Sequence, residues 1–123
     1  MELQPAHVEA LARLPKGDAI TVAQVAGIQA AKRCWELIPL CHPIPLTHVE
    51  VQIVPEGSTL EIVATTTTTA PTGVEMEAYT AAVIAGITLI DMLKGVDPQL
   101  TLTDVRLLRK AGGKSDYVAP DTS

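Results

Sequence analysis

A chain of 123 residues has room for one hydrophobic core and not for two. Apolar residues make up 47% of it but aromatics only 2%, so the core is built from Val, Ile, Leu and Ala, which argues against recognition by base stacking. A net charge of −5 argues against a general nucleic-acid binder.

The start, MELQPAHVEA, lacks the basic stretch and apolar run of a signal peptide. Val8, Leu11 and Leu14 fall at helical spacing, which predicts a short amphipathic helix over residues 7–14. Lys16-Gly17-Asp18 reads as a turn. Thr21 can cap a second helix that carries Val22, Val25 and Ile28 and ends near Glu36, because the residue before Pro39 is pushed out of the helical region. The proline-rich run LIPLCHPIPL, residues 37–46, then predicts an ordered but irregular connection.

Val49, Val51 and Ile53 alternate with Glu50 and Gln52, and Leu60, Ile62 and Ala64 alternate into a run of threonines. With Pro55-Glu56-Gly57-Ser58 between them, the two segments predict a β-hairpin, the β-branched threonines continuing its second strand. A helix is expected over residues 75–95, a turn at Asp97-Pro98, a last strand over 100–108, and a flexible glycine-rich end at 111–115. There is no internal repeat and no linker, so one domain over residues 1–123 is expected.

The helix is the most informative element. Residues 78–90 are apolar and nearly uncharged, which requires burial almost all round. At about 100° per residue, Glu77, Thr80, Thr88, Asp91 and Lys94 nevertheless share one stripe. Glu77 and Asp91, 14 residues apart, would lie ~21 Å apart along a straight helix and could not touch the same atom. Glu77 precedes the regular helix, or the ligand is long, or two copies of the chain pack head to foot. The last is favoured, since Ala81, Ala82, Ala85 and Gly86 offer a small-residue surface for close packing. The plainer reading is a core helix whose ends reach solvent.

His42, held among prolines beside Cys41, has the chemistry of an acid, a base or a phosphate donor, although a structural histidine bonded to the backbone is the more common case. Lys110-Ala111-Gly112-Gly113-Lys114-Ser115 has the glycines and cations of a phosphate-cradling loop without the spacing of a P-loop. The five lysines, Lys16, Lys32, Lys94, Lys110 and Lys114, would together hold a small polyanion if they converge. Cys34 and Cys41 do not make a disulfide framework, and with His7, His42 and His48 they show no metal-ligand spacing, so no metal is expected. No uncharged apolar run reaches the ~18 residues of a membrane helix. A soluble, cytoplasmic protein with no membrane partner is the expectation.

Lys16-Gly17-Asp18, AGIQAAKR at 26–33, LIPLCHP at 37–43, Val49-Glu50-Val51, TGVEME at 72–77, Asp91-Met92-Leu93-Lys94 and RLLRKAGGK at 106–114 together resemble the cyclic pyranopterin monophosphate synthase family, the molybdenum cofactor biosynthesis protein C family. LIPLCHP and TGVEME are highly specific, and the similarity runs from about Lys16 to Tyr117. The resemblance implies an α+β, ferredoxin-like sandwich and a hexamer built as a trimer of dimers, with active sites between copies. It implies a lyase-type rearrangement of a cyclised dihydro-GTP to cyclic pyranopterin monophosphate, with release of pyrophosphate and no cofactor. By position it implies Asp91, Lys16 and Lys94 as the acid–base group. Leu40, Cys41, His42, Glu75, Met76, Glu77, Lys110 and Lys114 match the substrate-binding segments, and Lys32 and Arg33 could serve phosphates. In that fold a first, central strand precedes Lys16, and the fifteen residues before it do not read as one. The expectation is a sheet lacking its first strand, with a gap beside residues 100–108. The competing reading is a non-catalytic nucleotide- or metabolite-sensing module on the same fold.

Overall fold

Gln4 and His7 set the first helix going. The Gln4 N–H donates to His7 Nδ1 at 2.9 Å, a capping-box arrangement with His7 in the place usually taken by Glu or Gln, and Pro5 fits the first helical position. In the computed structural model, which describes residues 1–13, 18–112 and 116–120, α1 spans Pro5–Arg13 and α2 Asp18–Lys32. Thr21 therefore lies inside α2 and does not cap it. Nor does α2 run on to Glu36: Arg33, at φ −114° and ψ 13°, breaks it, and a separate short helix, α3, follows over Cys34–Leu37. Ile38 turns extended (φ −107°, ψ 117°) directly before Pro39, as the proline requires.

Strands β1 (His48–Glu56) and β2 (Thr59–Thr67) form the expected hairpin, antiparallel over nine pairs from His48 with Thr67 to Glu56 with Thr59. Gly57 takes φ +59° in the two-residue turn, a conformation that favours glycine. The threonines do continue the strand, as far as Thr67. Helix α4 spans Glu75–Leu93. Its length and composition would serve to cross a membrane, yet Ala81, Ala85, Leu89 and Leu93 are fully buried against α2 and the hairpin, with Val51, Ile53 and Leu60 opposite.

Two expectations need correction here. First, residues 102–108 form no ladder. Asp104 takes a positive φ of 54°, which interrupts the extended run, and only Thr101 makes a bridge. The later strand pairing is instead a two-residue ribbon, β3 (Arg109–Lys110) against β4 (Tyr117–Val118), and the glycine-rich end expected at 111–115 between them lies, from residue 113 on, outside the described residues. Second, no gap is left beside β2. Met1 and Leu60 exchange two bonds (Leu60 N–H to Met1 O at 2.8 Å, the Met1 amino group to Leu60 O at 2.7 Å), and Leu3 N–H donates to Ser58 O at 2.8 Å. Glu2 bridges to Thr59 on one side and to Thr101 on the other. The spatial order is β1, β2, residues 1–3, then Thr101. This is the order of a ferredoxin-like sheet with its first and last strands shortened to single bridges, and α2 and α4 cover its inner face.

The small-residue surface of α4 is also used differently from expectation. A Cβ on Gly27 of α2 would come within 2.8 Å of the Ala81 carbonyl and 3.3 Å of Ala85 Cβ, so Ala81 and Ala85 seat α2 within the chain and not a second copy. Gly86 likewise makes room for Leu102, whose Cδ1 would lie 2.8 Å from a Cβ there.

Candidate active site

The head of α4 is tied down by β2: Thr66 Oγ1 donates to the Val74 carbonyl at 2.8 Å, directly before Glu75. Glu75 and Glu77 thus occupy the first turn, where the positive end of the helix dipole favours carboxylates. Glu75 Oε1 lies 3.6 Å from Lys110 Nζ, an ion pair that carries β3 to the helix head. Its other oxygen, Oε2, is buried without a hydrogen-bond partner among the described residues. Gly73 makes this placement possible, since any side chain there would meet the Glu75 carboxylate.

Glu77 is only 4% exposed. Burial raises its carboxyl above the usual range, the neighbouring charge of Glu75 adds to that, and a hydrogen bond from its own backbone partly opposes it. One turn on, Thr80 donates its hydroxyl to Cys34 Sγ at 3.4 Å. Cys34 is buried, and that burial pushes its thiol up; the Thr80 bond opposes this, while Glu77 and Cys41 add to it. Cys34, Cys41, Glu75, Glu77, Thr80 and Lys110 therefore gather at one end of the sandwich. Cys41 is half-buried, Leu40 is 98% exposed at φ +68°, and His42 and Met76 are exposed beside the cluster.

Asp91 and Lys94 sit at the opposite end of the helix. Lys94 Nζ donates to Asp91 Oδ1 at 2.8 Å, and the two side chains are 60% and 71% exposed for Lys94 and Asp91 respectively. Glu77 is the third residue of the regular helix and Asp91 its seventeenth, so one of the three earlier explanations falls: Glu77 does not precede the helix. The described residues of one chain hold two half-sites ~21 Å apart along the axis. Lys16 and Lys114 lie outside the described residues. Lys32 and Arg33 are exposed at the junction of α2 and α3.

Sequence reasoning passed over Cys34 as one of two unpaired cysteines. Its contact with Thr80 spans 46 positions and leaves no local pattern to find. His7, considered as a ligand, is structural: it is fully buried, Nδ1 accepts from Gln4, and Nε2–H donates to the Asp97 carbonyl at 2.5 Å. A surface groove lined by Pro5, Val8, Glu9, Gly57 and Ser58 lies at the hairpin turn, the other end of the strands from Thr66 and the α4 head.

Fold and site define a ferredoxin-like α+β protein that concentrates ionisable side chains at the two ends of one buried helix. The chain belongs to the MoaC family, whose profile matches residues 1–113. It is 51% identical over 119 residues to the cyclic pyranopterin monophosphate synthase of Oleidesulfovibrio alaskensis, covering 94% of this chain and 75% of that protein. It is 50% identical over 119 residues to that of Rhodospirillum rubrum (94% and 72%), and 53% over 105 residues to that of Streptomyces griseus (85% and 59%).

Proposed function

We infer that this chain is an enzyme of molybdenum cofactor biosynthesis that converts a cyclised dihydro-GTP, 3',8-cyclo-7,8-dihydroguanosine triphosphate, to cyclic pyranopterin monophosphate. The observation that carries this is half-identity over 94% of the chain to synthases of that name. No observation favours the sensing-module alternative.

The reaction opens a ring, closes a pterin and attacks the α-phosphorus with loss of pyrophosphate. It therefore asks for several proton transfers and for cations beside a triphosphate. Asp91 and Lys94 are proposed as acid–base partners, and their 2.8 Å hydrogen bond is the contact through which a proton would pass. Lys16 is proposed as the third member. At the other half-site, Glu77 and the orphaned buried oxygen of Glu75 are acceptors suited to the N–H edge of a guanine-derived ring. Leu40, Cys41, His42 and Met76 would line that pocket. Lys110 and Lys114 would meet the phosphates, with Lys32 and Arg33 in support. We propose one such domain over residues 1–123, in the cytoplasm.

Since the two half-sites stand ~21 Å apart on one helix, a complete site is proposed to form between copies, the foot of one α4 meeting the head of another, within a hexamer made as a trimer of dimers. The test is turnover of the cyclised nucleotide, read as pyrophosphate released and pterin formed. Asp91→Asn is expected to lower turnover by about 10²–10⁴-fold, the contribution of one positioned acid or base, with unchanged oligomer size. Near-normal turnover by that variant would remove Asp91 from the machinery, and no turnover by the parent chain would remove the reaction.

A further inference from the structure

The run of threonines that closes β2 takes no part in the proposed reaction, yet its side chains reach both segments that line the pocket. Side chains two apart on an extended strand share a face, and Thr66 and Thr68 are half-buried where Thr65, Thr67 and Thr69 are exposed. Thr66 holds the Val74 carbonyl directly before Glu75. Thr68 acts on two segments at once. Its hydroxyl donates to the Pro45 carbonyl at 2.7 Å, in the loop before β1, and accepts from the Ala70 N–H at 3.1 Å, in the turn after β2. The Ala70 carbonyl in turn accepts from the Thr72 N–H at 2.8 Å, next to Gly73.

The loop has little else to hold it. Pro39, Pro43 and Pro45 carry no N–H, and among the described residues the segment 42–46 makes one hydrogen bond, the one that Thr68 supplies. On one side of that segment the Cys41 N–H donates to the Ile38 carbonyl at 3.2 Å. On the other, Thr47 gives its N–H at 2.8 Å and its hydroxyl at 3.1 Å to the Thr67 carbonyl. His42 is strung between these anchorages.

We propose that Thr68 is a positioning residue, a clamp that joins the loop carrying Leu40, Cys41 and His42 to the turn that delivers Glu75 and Glu77. Its hydroxyl keeps the two walls of the pocket at one separation. Without it the Pro45 carbonyl and the Ala70 N–H turn to water, and the arrangement that fits the substrate is only part of the population. Apparent affinity falls by that fraction. Asp91 and Lys94, at the far end of α4, are untouched, so the loss falls on KM and not on kcat. The clamp itself is independent of the proposed reaction; its effect on KM rests on that reading, and the two are measured separately.

Thr68→Val keeps the shape of the side chain and removes the hydroxyl, whereas Thr68→Ser keeps the hydroxyl. With the cyclised nucleotide as substrate, Thr68→Val is expected to raise KM about tenfold, the factor that losing two hydrogen bonds of ordinary net strength implies. Its kcat should stay within about twofold of the parent, and Thr68→Ser should restore KM. Thr69→Val, at the exposed neighbour, controls for the loss of a threonine from the run. An unchanged KM in Thr68→Val, an equal rise in Thr69→Val, no rescue by serine, or a loss confined to kcat overturns the proposal. Amide hydrogen exchange on the full chain, read by mass spectrometry, tests the clamp without substrate. Exchange should quicken in Thr68→Val at Ala70, which loses its acceptor, and at Thr47, where the loop ends, with α2 and α4 exchanging as in the parent. Unchanged exchange at either amide refutes the clamp, and an equal rise throughout α4 would make Thr68 a residue of general stability instead. A parent chain without turnover would remove the proposed reaction, and exchange alone would then decide whether Thr68 clamps the loop.

Discussion

Replacing Gly27 by alanine sets two effects of known size against each other. Alanine is the better helix former by ~1 kcal/mol, so on propensity alone the change in α2 stabilises. The new Cβ, however, would stand 2.8 Å from the Ala81 carbonyl oxygen, 3.0 Å from Val51 Cγ2 and 3.3 Å from Ala85 Cβ. The first of these is a backbone atom of α4 and cannot rotate away. Helices α2 and α4 have to separate by tenths of an ångström, loosening the fully buried Ala81 and Ala85 at once. Overpacking of this kind costs ~1–3 kcal/mol, so the net expectation is ~1 kcal/mol of destabilisation for Gly27→Ala, with Gly27→Val clearly worse. For a chain of this size ~1 kcal/mol moves Tm by about 4 °C. Thermal unfolding at one fixed protein concentration measures it. Gly95→Ala, where nothing lies within 4 Å of the added atom, is the neutral control. A rise in Tm for Gly27→Ala would mean that the helices yield there at no cost, and the close-approach argument would be wrong.

Three further outcomes are expected. His7→Leu leaves the Gln4 N–H and the Asp97 carbonyl unpaired and should lower stability by ~2–5 kcal/mol, read as a shift of the urea midpoint; a loss under ~1 kcal/mol would show that water replaces both partners. The carboxyl of Glu77 is raised in the fold, so its favourable, protonated contribution is complete below its ordinary value of 4.5 and is lost as pH rises through the folded value. Glu77→Gln should therefore be more stable than the parent at pH 7–8 and lose that advantage near pH 4, and a gain independent of pH would contradict the cause given. Mixing inactive Lys16→Ala chains with inactive Asp91→Asn chains should restore part of the turnover if those residues complete a site across copies; no recovery in oligomers shown to be mixed would place both on one chain.

The sequence disclosed what local chemistry decides. Alternation at Val49, Val51 and Ile53, with glycine in the turn, was enough for the hairpin, though β1 runs on through Pro55 and Glu56 into the expected turn, and Pro39 was enough to end the helical run near Glu36 but not to show the break at Arg33 that makes α3 a separate element. Residues 100–108 alternate almost as well, yet form no strand. Whether an extended segment pairs depends on which neighbour reaches it, and here Glu2 reaches only Thr101 before Asp104 turns the chain. The small residues of α4 were legible as a packing surface but not as to whose, because Gly27 and Ala81 meet across more than fifty positions. The split of the charged stripe into two ends followed from helix geometry alone. The cluster around Cys34 did not, since it is assembled by the turn at Leu40.

Gln4 is the only residue between Leu3, buried in the sheet, and Pro5, which opens α1. The same residue gives its N–H to His7, which is itself bonded to Asp97 beyond the far end of α4. The interval therefore acts as a ruler. One residue more or fewer would either turn the alternation of residues 1–3 over, exposing Leu3 and burying Glu2, or draw His7 away from Asp97. Length is thus under tighter constraint at this point than side-chain identity, and substitutions at Gln4 should be tolerated where a single insertion beside it is not.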